Sequence, residues 1–392
     1  MVATTALVTL VVAGFASLFM AWSIGAGSSG STPFAPAVGA NAISIMRAGF
    51  LVGILGLLGA VLQGANVTNA VGRELIVGTT LTPTAATIGL LTAAILVAVG
   101  VFAGYPIATA FTVTGAVVGV GLAIGGAPAW AKYQQIATLW VLTPFVGGGV
   151  AYGTARLLRD ERTSERVLVP VLGGLVGLVL ANVRFVFLGP PETQASVAEA
   201  VVLQVGGGVL THVAVTVAVA TLIGLAVAAD VRRDLAGGQR RFLLALGALV
   251  AFSAGGSQVG LALGPLVPLL SEFRLPIVAL LFGGGLGLLV GSWTGAPRMI
   301  KALSQDYSAL GPRRSIAALI PSFAIAQAAV FFGIPVSFNE IIVSAIVGSG
   351  YAAGGSDVSR AKMGYTVLAW IGSLALALVV GYVAVVGVEA VL

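Results

Sequence analysis

Apolar stretches of about 20 residues follow one another along almost the entire chain, and no other feature of the sequence constrains the fold as strongly. A stretch of that length crosses the hydrocarbon core of a bilayer as a single helix. Charged residues make up 8% of the chain, whereas soluble domains carry about 25%. The sequence therefore predicts an all-α, multi-pass protein of the cell membrane.

The apolar stretches can be counted as about twelve spans. They cover residues 2–24, 43–63, 83–103, 105–126, 133–155, 167–185, 198–229, 242–263, 276–295, 315–333, 335–355 and 363–388. The first stretch lacks the basic start of a signal peptide, so we expect it to be retained as a span.

The positions of Lys and Arg predict the orientation of the chain. If the chain starts outside and crosses at each span, 15 of its 19 basic residues fall inside. The four that fall outside are Arg73, Lys132, Arg184 and Arg274. Because cytoplasmic loops carry the excess of positive charge, both termini are predicted to be external.

One segment of the chain occurs twice in similar form. GYPIATAFTVTGAVVGVGLAIGG (104–126) and GIPVSFNEIIVSAIVGSGYAAGG (333–355) match at nine of 23 positions without a gap. The same offset of 229 residues aligns GSSGSTPFAP (27–36) with GSQVGLALGP (256–265). Two matches at one offset indicate a duplication of the whole unit that contains them.

The duplication divides the chain into three parts. Residues 1–155 and 242–392 are predicted to be two copies of one five-span unit, and residues 156–241 a linker with two further spans. Trp140 and Trp370, in the last span of each copy, lie within one residue of the common offset. Because each unit has an odd number of spans, the second copy enters the membrane from the opposite side. Inverted repeats of this kind are typical of alternating-access transporters.

Small polar residues interrupt the apolar pattern at matching places in the two copies. In the first copy they precede Pro33 and Pro36, and in the second they precede Pro265. Pro106 and Pro335 each open a new apolar stretch, where proline is favoured in the first turn of a helix. Broken or re-entrant helices at these places would point free backbone N–H groups at an oxyanion. The alternative is that glycine and serine there only allow close helix packing.

The anion site is predicted to draw on both copies. Its substrate-binding residues are Ser28, Ser29, Thr32, Thr109, Ser257, Gln258, Ser337 and Asn339. Hydroxyl and amide groups, rather than Lys or Arg, would hold the anion together with the helix N-termini. No metal site is assigned.

Glu340 is the acidic residue that stands out within the spans. It lies five residues after Pro335, with no Lys or Arg nearby in the sequence. An intramembrane carboxylate is expensive to bury and is a functional candidate by default, so Glu340 is predicted to couple transport to a proton or to Na⁺. The alternative is a residue that faces a water-filled vestibule near the end of its span.

These segments resemble the inorganic phosphate transporter (PiT) family over essentially the whole chain. PIATAF (106–111) and PVSFNE (335–340) stand where that family has its P-[VI]-S-T-T-H segments. GAVVGVG (115–121) and SAIVGSG (344–350) then follow, as glycine-containing runs do in the family. The resemblance implies a transporter with two inverted-topology repeats.

The chain departs from the family at its acidic motifs. Ser29 and Gln258 stand at the Asp positions of the two GANDVANA-type motifs, and only Thr109 and Ser337 match the S-T-T-H segments outright. The resemblance implies a role for those Asp residues in cation coupling, and Glu340 is placed to replace part of their charge. The chain is thus identified as a divergent member of the family.

The resulting hypothesis is a secondary active transporter of inorganic phosphate, coupled to Na⁺ or H⁺, with alternating access. A transporter of another oxyanion such as sulfate is one alternative. A non-transporting membrane sensor or component that keeps the fold is another. The expected partners are phosphate, the coupling cation and the lipid bilayer, with a homodimer left open and nucleic acid not expected.

An enzyme is not expected from this sequence. It contains no cysteine, no Ser/His/Asp set and no nucleotide-binding loop with a following Lys–Ser/Thr. No organic cofactor is predicted, and the coupling cation is the only small partner besides the transported anion.

Overall fold

The computed structural model describes residues 2–190, 193–269 and 276–391, with side chains from residue 8 onward. Within this part of the chain, sixteen α-helices form the body of the molecule and two short antiparallel sheets join pairs of loops. Arg274, one of the predicted external cations, lies outside the described residues.

The helices are numbered in chain order. The first eight are α1 (Val2–Ile24), α2 (Ala35–Gly39), α3 (Ile45–Gln63), α4 (Ala65–Arg73), α5 (Pro83–Ala103), α6 (Thr109–Ala123), α7 (Trp130–Arg159) and α8 (Glu165–Ala181). The next eight are α9 (Val197–Val205), α10 (Gly208–Arg233), α11 (Leu235–Leu263), α12 (Ile277–Thr294), α13 (Ala296–Gln305), α14 (Pro312–Phe332), α15 (Phe338–Tyr351) and α16 (Arg360–Val391). The strands are β1 (Ile76–Val77) with β2 (Ala127–Pro128), and β3 (Arg184–Phe185) with β4 (Ala195–Ser196).

Nine helices of the described chain are long and apolar enough to cross a membrane, namely α1, α3, α5, α7, α10, α11, α12, α14 and α16. The multi-pass, all-α fold is therefore confirmed. The predicted spans 105–126, 167–185 and 335–355 correspond to shorter helices, α6 with 15 residues, α8 with 17 and α15 with 14. The count of twelve crossings stays a prediction.

The two prolines that were expected in first helical turns lie instead in extended segments. Helices α6 and α15 begin three residues after Pro106 and Pro335, so that expectation is wrong. We call residues 105–108 the first extended segment and residues 334–337 the second. They stay extended because side chains from other helices bind their carbonyl groups and take the place of helical N–H donors.

The break predicted after the first apolar stretch is present, and its counterpart lies later than the matching serine, at the 3₁₀ turn Gly264–Leu266 that ends α11. Helix α1 passes into a π-helical turn, Gly25–Ser29, and then into irregular backbone before α2. Helix α11 instead continues through Ser257 and Gln258, so these residues lie inside a helix and not at an interruption. Proline explains the difference, because Pro33 closely follows the first serines whereas Pro265 lies at the end of α11.

Loops that were predicted to be external lie together in the structure. Lys132 and Arg184 both contact the end of α14, through the carbonyl group of Gly333 and over the ring of Phe331.

The loops predicted to be cytoplasmic are joined to one another by a second set of ion pairs. These are Arg313 with Glu165, Arg314 with Asp357, and Lys362 with Asp306. They connect the loop regions after α7, α13 and α15. Three basic residues that were predicted to be cytoplasmic, Arg313, Arg314 and Lys362, therefore lie on the same face of the molecule. Which face is external stays a prediction.

Each short helix packs against the long last helix of the other half of the chain. Helix α6 packs along α16 and helix α15 packs along α7. Glycine makes both contacts close, because a Cβ on Gly115 would overlap the carbonyl group of Leu374 and one on Gly348 would overlap that of Gly148. This packing brings the starts of α6 and α15 into the buried centre of the molecule.

Candidate functional site

All nine residues predicted for the site are buried at this centre. Their exposed fractions are 2% or less for Ser28, Ser29, Thr32, Thr109, Ser257, Gln258, Ser337, Asn339 and Glu340. Side-chain hydrogen bonds join only some of them, and the rest have either local partners or none.

Gln258 is the hub of the polar contacts. Its Oε1 accepts hydrogen bonds from Thr109 Oγ1 at 2.8 Å and from Ser28 Oγ at 3.0 Å. Its Nε2 donates to the carbonyl oxygen of Val336, in the second extended segment, at 2.6 Å. The side-chain amide of Gln258 on α11 thereby connects the turn after α1, the start of α6 and the extended segment before α15.

Asn339, at the start of α15, binds the first half in the same way. Its Nδ2 donates to the carbonyl oxygens of Ile107 at 2.7 Å and Gly27 at 2.9 Å. Ile107 and Val336 are 229 residues apart, so an amide side chain binds the equivalent carbonyl group in each extended segment.

Two tryptophans complete the binding of these carbonyl groups. Trp140 Nε1 donates to the oxygen of Pro335 at 2.9 Å, and Trp370 Nε1 donates to that of Pro106 at 2.7 Å. The sequence assigned no site role to either tryptophan, although their common offset was the available signal. Phe111 stacks on Trp140 with ring centroids 3.8 Å apart.

Ser29 and Thr32 make only local hydrogen bonds. Thr32 Oγ1 donates to the carbonyl oxygen of Ser28 at 3.0 Å, and Ser29 Oγ lies 3.5 Å from that of Ile24. These contacts satisfy the irregular backbone after α1. The structure therefore places both residues next to the hub without joining their side chains to it.

Four buried side-chain atoms of the candidate site have no hydrogen-bond partner in the described structure. They are Ser257 Oγ, Ser337 Oγ, Asn339 Oδ1 and Glu340 Oε2. Leaving such a group unpaired typically costs about 1–3 kcal/mol, and most buried polar atoms are paired for that reason. Two hydroxyl donors and two oxygen acceptors of the candidate site are therefore free to bind a ligand.

Glu340 is the third residue of α15 and lines a cavity of about 660 Å³ between α7, α15 and α16. No Lys, Arg or His among the described residues lines this cavity. The positive end of the α15 dipole is the nearest compensation for a charge on the carboxylate. Among the described residues, no group of three or more His, Asp and Glu could hold a metal ion.

One ion pair lies next to each extended segment. Lys132 pairs with Glu74 at 2.7 Å and donates to the carbonyl oxygen of Gly333 at 3.2 Å, just before the second segment. Lys362 pairs with Asp306 at 3.2 Å, and its Nζ lies 4.5 Å from the ring centre of Tyr105 in the first segment.

The two pairs are equivalent in position and lie at opposite ends of α7. Each lysine is in the first turn of the last helix of its half, and each acid follows a short helix, α4 or α13. Lys132 lies at the start of α7, whereas Arg159 at its end donates to the carbonyl oxygen of Ala352, shortly before α16. Helix α7 is about 45 Å long at 1.5 Å per residue, so the pairs lie far apart.

A second buried polar cluster was missed by the sequence analysis. Gln63 and Gln327 exchange amide hydrogen bonds of 3.2 and 3.3 Å, and Gln327 Nε2 also donates to Ser253 Oγ at 2.6 Å. Single glutamines within apolar stretches were the available signal. Because both amides have partners, we assign this cluster to helix packing.

Comparison with known proteins agrees with this geometry. A family model described as "Phosphate transporter family" matches residues 24–381. A protein of Thermococcus kodakarensis with the provisional name of phosphate permease is 24% identical, over 93% of each chain. The inorganic phosphate transporter 2-1 of Arabidopsis thaliana chloroplasts is also 24% identical, over 90% of this chain and 68% of its own.

One solved structure has the same fold. It is the structure of a protein described as the sodium-dependent phosphate transporter, and it superposes with a TM-score of 0.80 over 98% of this chain and 100% of its own. The sequence identity is 23%, so the similarity is evidence for the fold.

Proposed function

The chain belongs to the phosphate transporter family, and from this premise we propose that it is a secondary active transporter of inorganic phosphate. It works by alternating access and is coupled to Na⁺ or H⁺. The observation that carries the proposal is the set of unpartnered atoms in a buried site without basic residues: two hydroxyl donors and two oxygen acceptors.

The donors fit the anion and the acceptors fit the cation. Ser257 Oγ and Ser337 Oγ can each donate a hydrogen bond to a phosphate oxygen, with Ser28 and Thr109 close by on the hub. Asn339 Oδ1 accepts from a phosphate hydroxyl or ligates a cation. Because fixed carboxylate charge repels phosphate, Glu340 carries the coupling cation and not the substrate.

The two-copy division of the chain, 1–155 and 242–392 around the linker 156–241, is part of this proposal. Support comes from the interactions at the 229-residue offset. Each extended segment receives one tryptophan N–H and one amide N–H from outside it. Two copies that face each other with opposite orientation form such reciprocal contacts naturally.

Alternating access requires each face to open in turn, and the two ion pairs are placed to hold the faces closed. The Lys132–Glu74 pair joins α7 to the end of α4 and to Gly333, on the face predicted to be external. The Lys362–Asp306 pair does the same for α16 and α13 on the other face. Transport proceeds when one pair separates while the other stays closed.

Sulfate is the second candidate substrate, because it is also a tetrahedral dianion. The unpartnered acceptor of Asn339 favours phosphate over sulfate. Monohydrogen phosphate carries a hydroxyl group that can donate to Asn339 Oδ1, whereas sulfate has no hydrogen and leaves this oxygen unsatisfied.

The test is uptake of radiolabelled phosphate into proteoliposomes, with a sodium gradient and a pH gradient imposed separately. We expect accumulation above the external concentration under one of the gradients, and little competition by sulfate. Binding without accumulation under either gradient would identify a sensor. Equal uptake of sulfate would replace phosphate by a broader oxyanion class.

A further inference from the structure

We propose that the cavity lined by Glu340 binds a primary ammonium group carried on an apolar chain, that is, a hydrophobic amine that enters from the bilayer. Glu340 also belongs to the candidate site, where it is assigned to the coupling cation, but the walls of the cavity lie outside the groups around Gln258. The proposal rests on these walls and on the carboxylate, and not on transport.

The walls of the cavity select an apolar ligand. Nearly all side chains that line it are aliphatic or aromatic, including Trp140 and Trp370. Its volume of about 660 Å³ lies within the range of small-molecule sites, about 300–1,000 Å³. Phosphate and hydrated cations would lose water at such a surface and gain no polar contacts. An alkyl chain keeps apolar surroundings when it moves from the bilayer into the cavity.

The mouth of the cavity faces lipid. Val141, Phe145 and Ile371 line it and are also among the exposed apolar residues of α7 and α16, with Phe145 exposed to 74%. Exposed apolar side chains on membrane-spanning helices contact hydrocarbon, so a ligand dissolved in the bilayer reaches the cavity without crossing water.

The inner end of the cavity selects a cation. Glu340 is only 2% exposed, and within the part of the chain that the structure describes its Oε2 has no hydrogen-bond partner and no basic residue lines the cavity. An ammonium group supplies both the opposite charge and an N–H donor, which together make a charge-assisted hydrogen bond. The aromatic side chains of Phe111, Trp140 and Trp370 border the same space.

The direct test is quenching of tryptophan fluorescence in the purified protein without phosphate. The background W22F/W130F/W293F leaves Trp140 and Trp370, both on the cavity wall. The probes are decylammonium with a nitroxide at its far end and the equally labelled decanol. We expect saturable quenching by the amine, with a half-saturating concentration at least about tenfold lower than that of the alcohol. One charge-assisted hydrogen bond is sufficient for an affinity difference of this size.

Two glycine variants locate the binding. Gly149 lines the cavity and a Cβ there would meet nothing within 4 Å, so Gly149→Leu places its side chain in the free space. Gly153, one turn further along α7, is equally unobstructed but does not line the cavity. The affinity for the amine should fall about tenfold in Gly149→Leu, because the new side chain takes up apolar contact area that the ligand would use. It should stay at the parent value in Gly153→Leu.

Glu340→Gln keeps the shape of the side chain and should bind the amine no better than the alcohol. Equal affinity of the parent for amine and alcohol overturns the proposal, as does unchanged quenching in both Gly149→Leu and Glu340→Gln. If Gly149→Leu does not fold, the comparison of parent and Glu340→Gln still decides. None of these readouts requires phosphate transport, so this proposal can fail while the transporter assignment stands, and the reverse.

Discussion

The indole N–H of Trp370 donates a hydrogen bond to the carbonyl oxygen of Pro106, 264 residues earlier, at 2.7 Å. The same bond joins Trp140 to Pro335 at 2.9 Å. Each bond crosses from one half of the chain to the other and holds an extended segment open in front of a short helix. The binding groups of the candidate site are positioned by these two segments.

Trp370→Phe should lower stability while keeping the ring. The change leaves the buried carbonyl group of Pro106 without its donor, which costs about 1–3 kcal/mol. Thermal unfolding in detergent measures the loss, and Trp130→Phe is the control because Trp130 is 68% exposed. Equal midpoints for both variants would show that the hydrogen bond does not stabilise the segment.

Ser257→Ala should weaken phosphate binding without loss of stability, because its hydroxyl group has no partner in the described structure. The expected loss is about 1–3 kcal/mol for a hydrogen bond to a charged ligand. Titration calorimetry with phosphate measures it. Ser349→Ala is the matched control, since Ser349 is equally buried but donates to the carbonyl oxygen of Ile346 at 2.9 Å. Parent-like affinity in Ser257→Ala would remove Ser257 from the site.

Glu340→Gln should separate binding from coupling. The amide keeps the size of the side chain but carries no charge, so the variant should exchange phosphate across the vesicle membrane and fail to accumulate it. Measurement of both exchange and gradient-driven uptake in the same proteoliposomes distinguishes the two steps. Accumulation equal to the parent would show that Glu340 takes no part in coupling.

Locking either ion pair closed should stop transport, because each face must open in every cycle. The chain has no cysteine, so Lys132→Cys with Glu74→Cys, or Lys362→Cys with Asp306→Cys, can be joined by a short bis-methanethiosulfonate linker. Transport should cease and return after reduction. The control is the Arg184–Glu199 pair, which lies within residues 156–241, outside both proposed copies. Inhibition by a lock at Arg184–Glu199 as strong as at the other pairs would argue against gating by the two lysines.

Single cysteines should establish the orientation. With both termini external, Ser164→Cys reacts with an impermeant maleimide only after the cells are opened, whereas Thr193→Cys reacts in intact cells. Both positions are exposed in the structure. Labelling of both cysteines from the same side would contradict the inverted-repeat topology.

Composition and the order of residues along the chain are enough to predict several features of this protein. Apolar length is enough to predict membrane helices, because lipid leaves the backbone few other ways to satisfy its hydrogen bonds. The common offset linked Pro106 to Pro335, and the absence of nearby basic residues singled out Glu340. Both depend on residue type and spacing, which are visible without coordinates.

Which polar groups meet depends on how the helices pack. Ser29 and Thr32 carry hydroxyl groups like Ser28, yet of these three residues only Ser28 reaches Gln258, because the backbone of the π-helical turn and of the irregular segment after it directs the other two hydroxyl groups to nearby carbonyl groups. Helices α6 and α15 begin three residues after Pro106 and Pro335, and not at these prolines, because donors from distant helices bind the carbonyl groups there. Contacts between residues more than 200 positions apart follow from how the helices pack, and spacing along the chain carries no direct record of that packing.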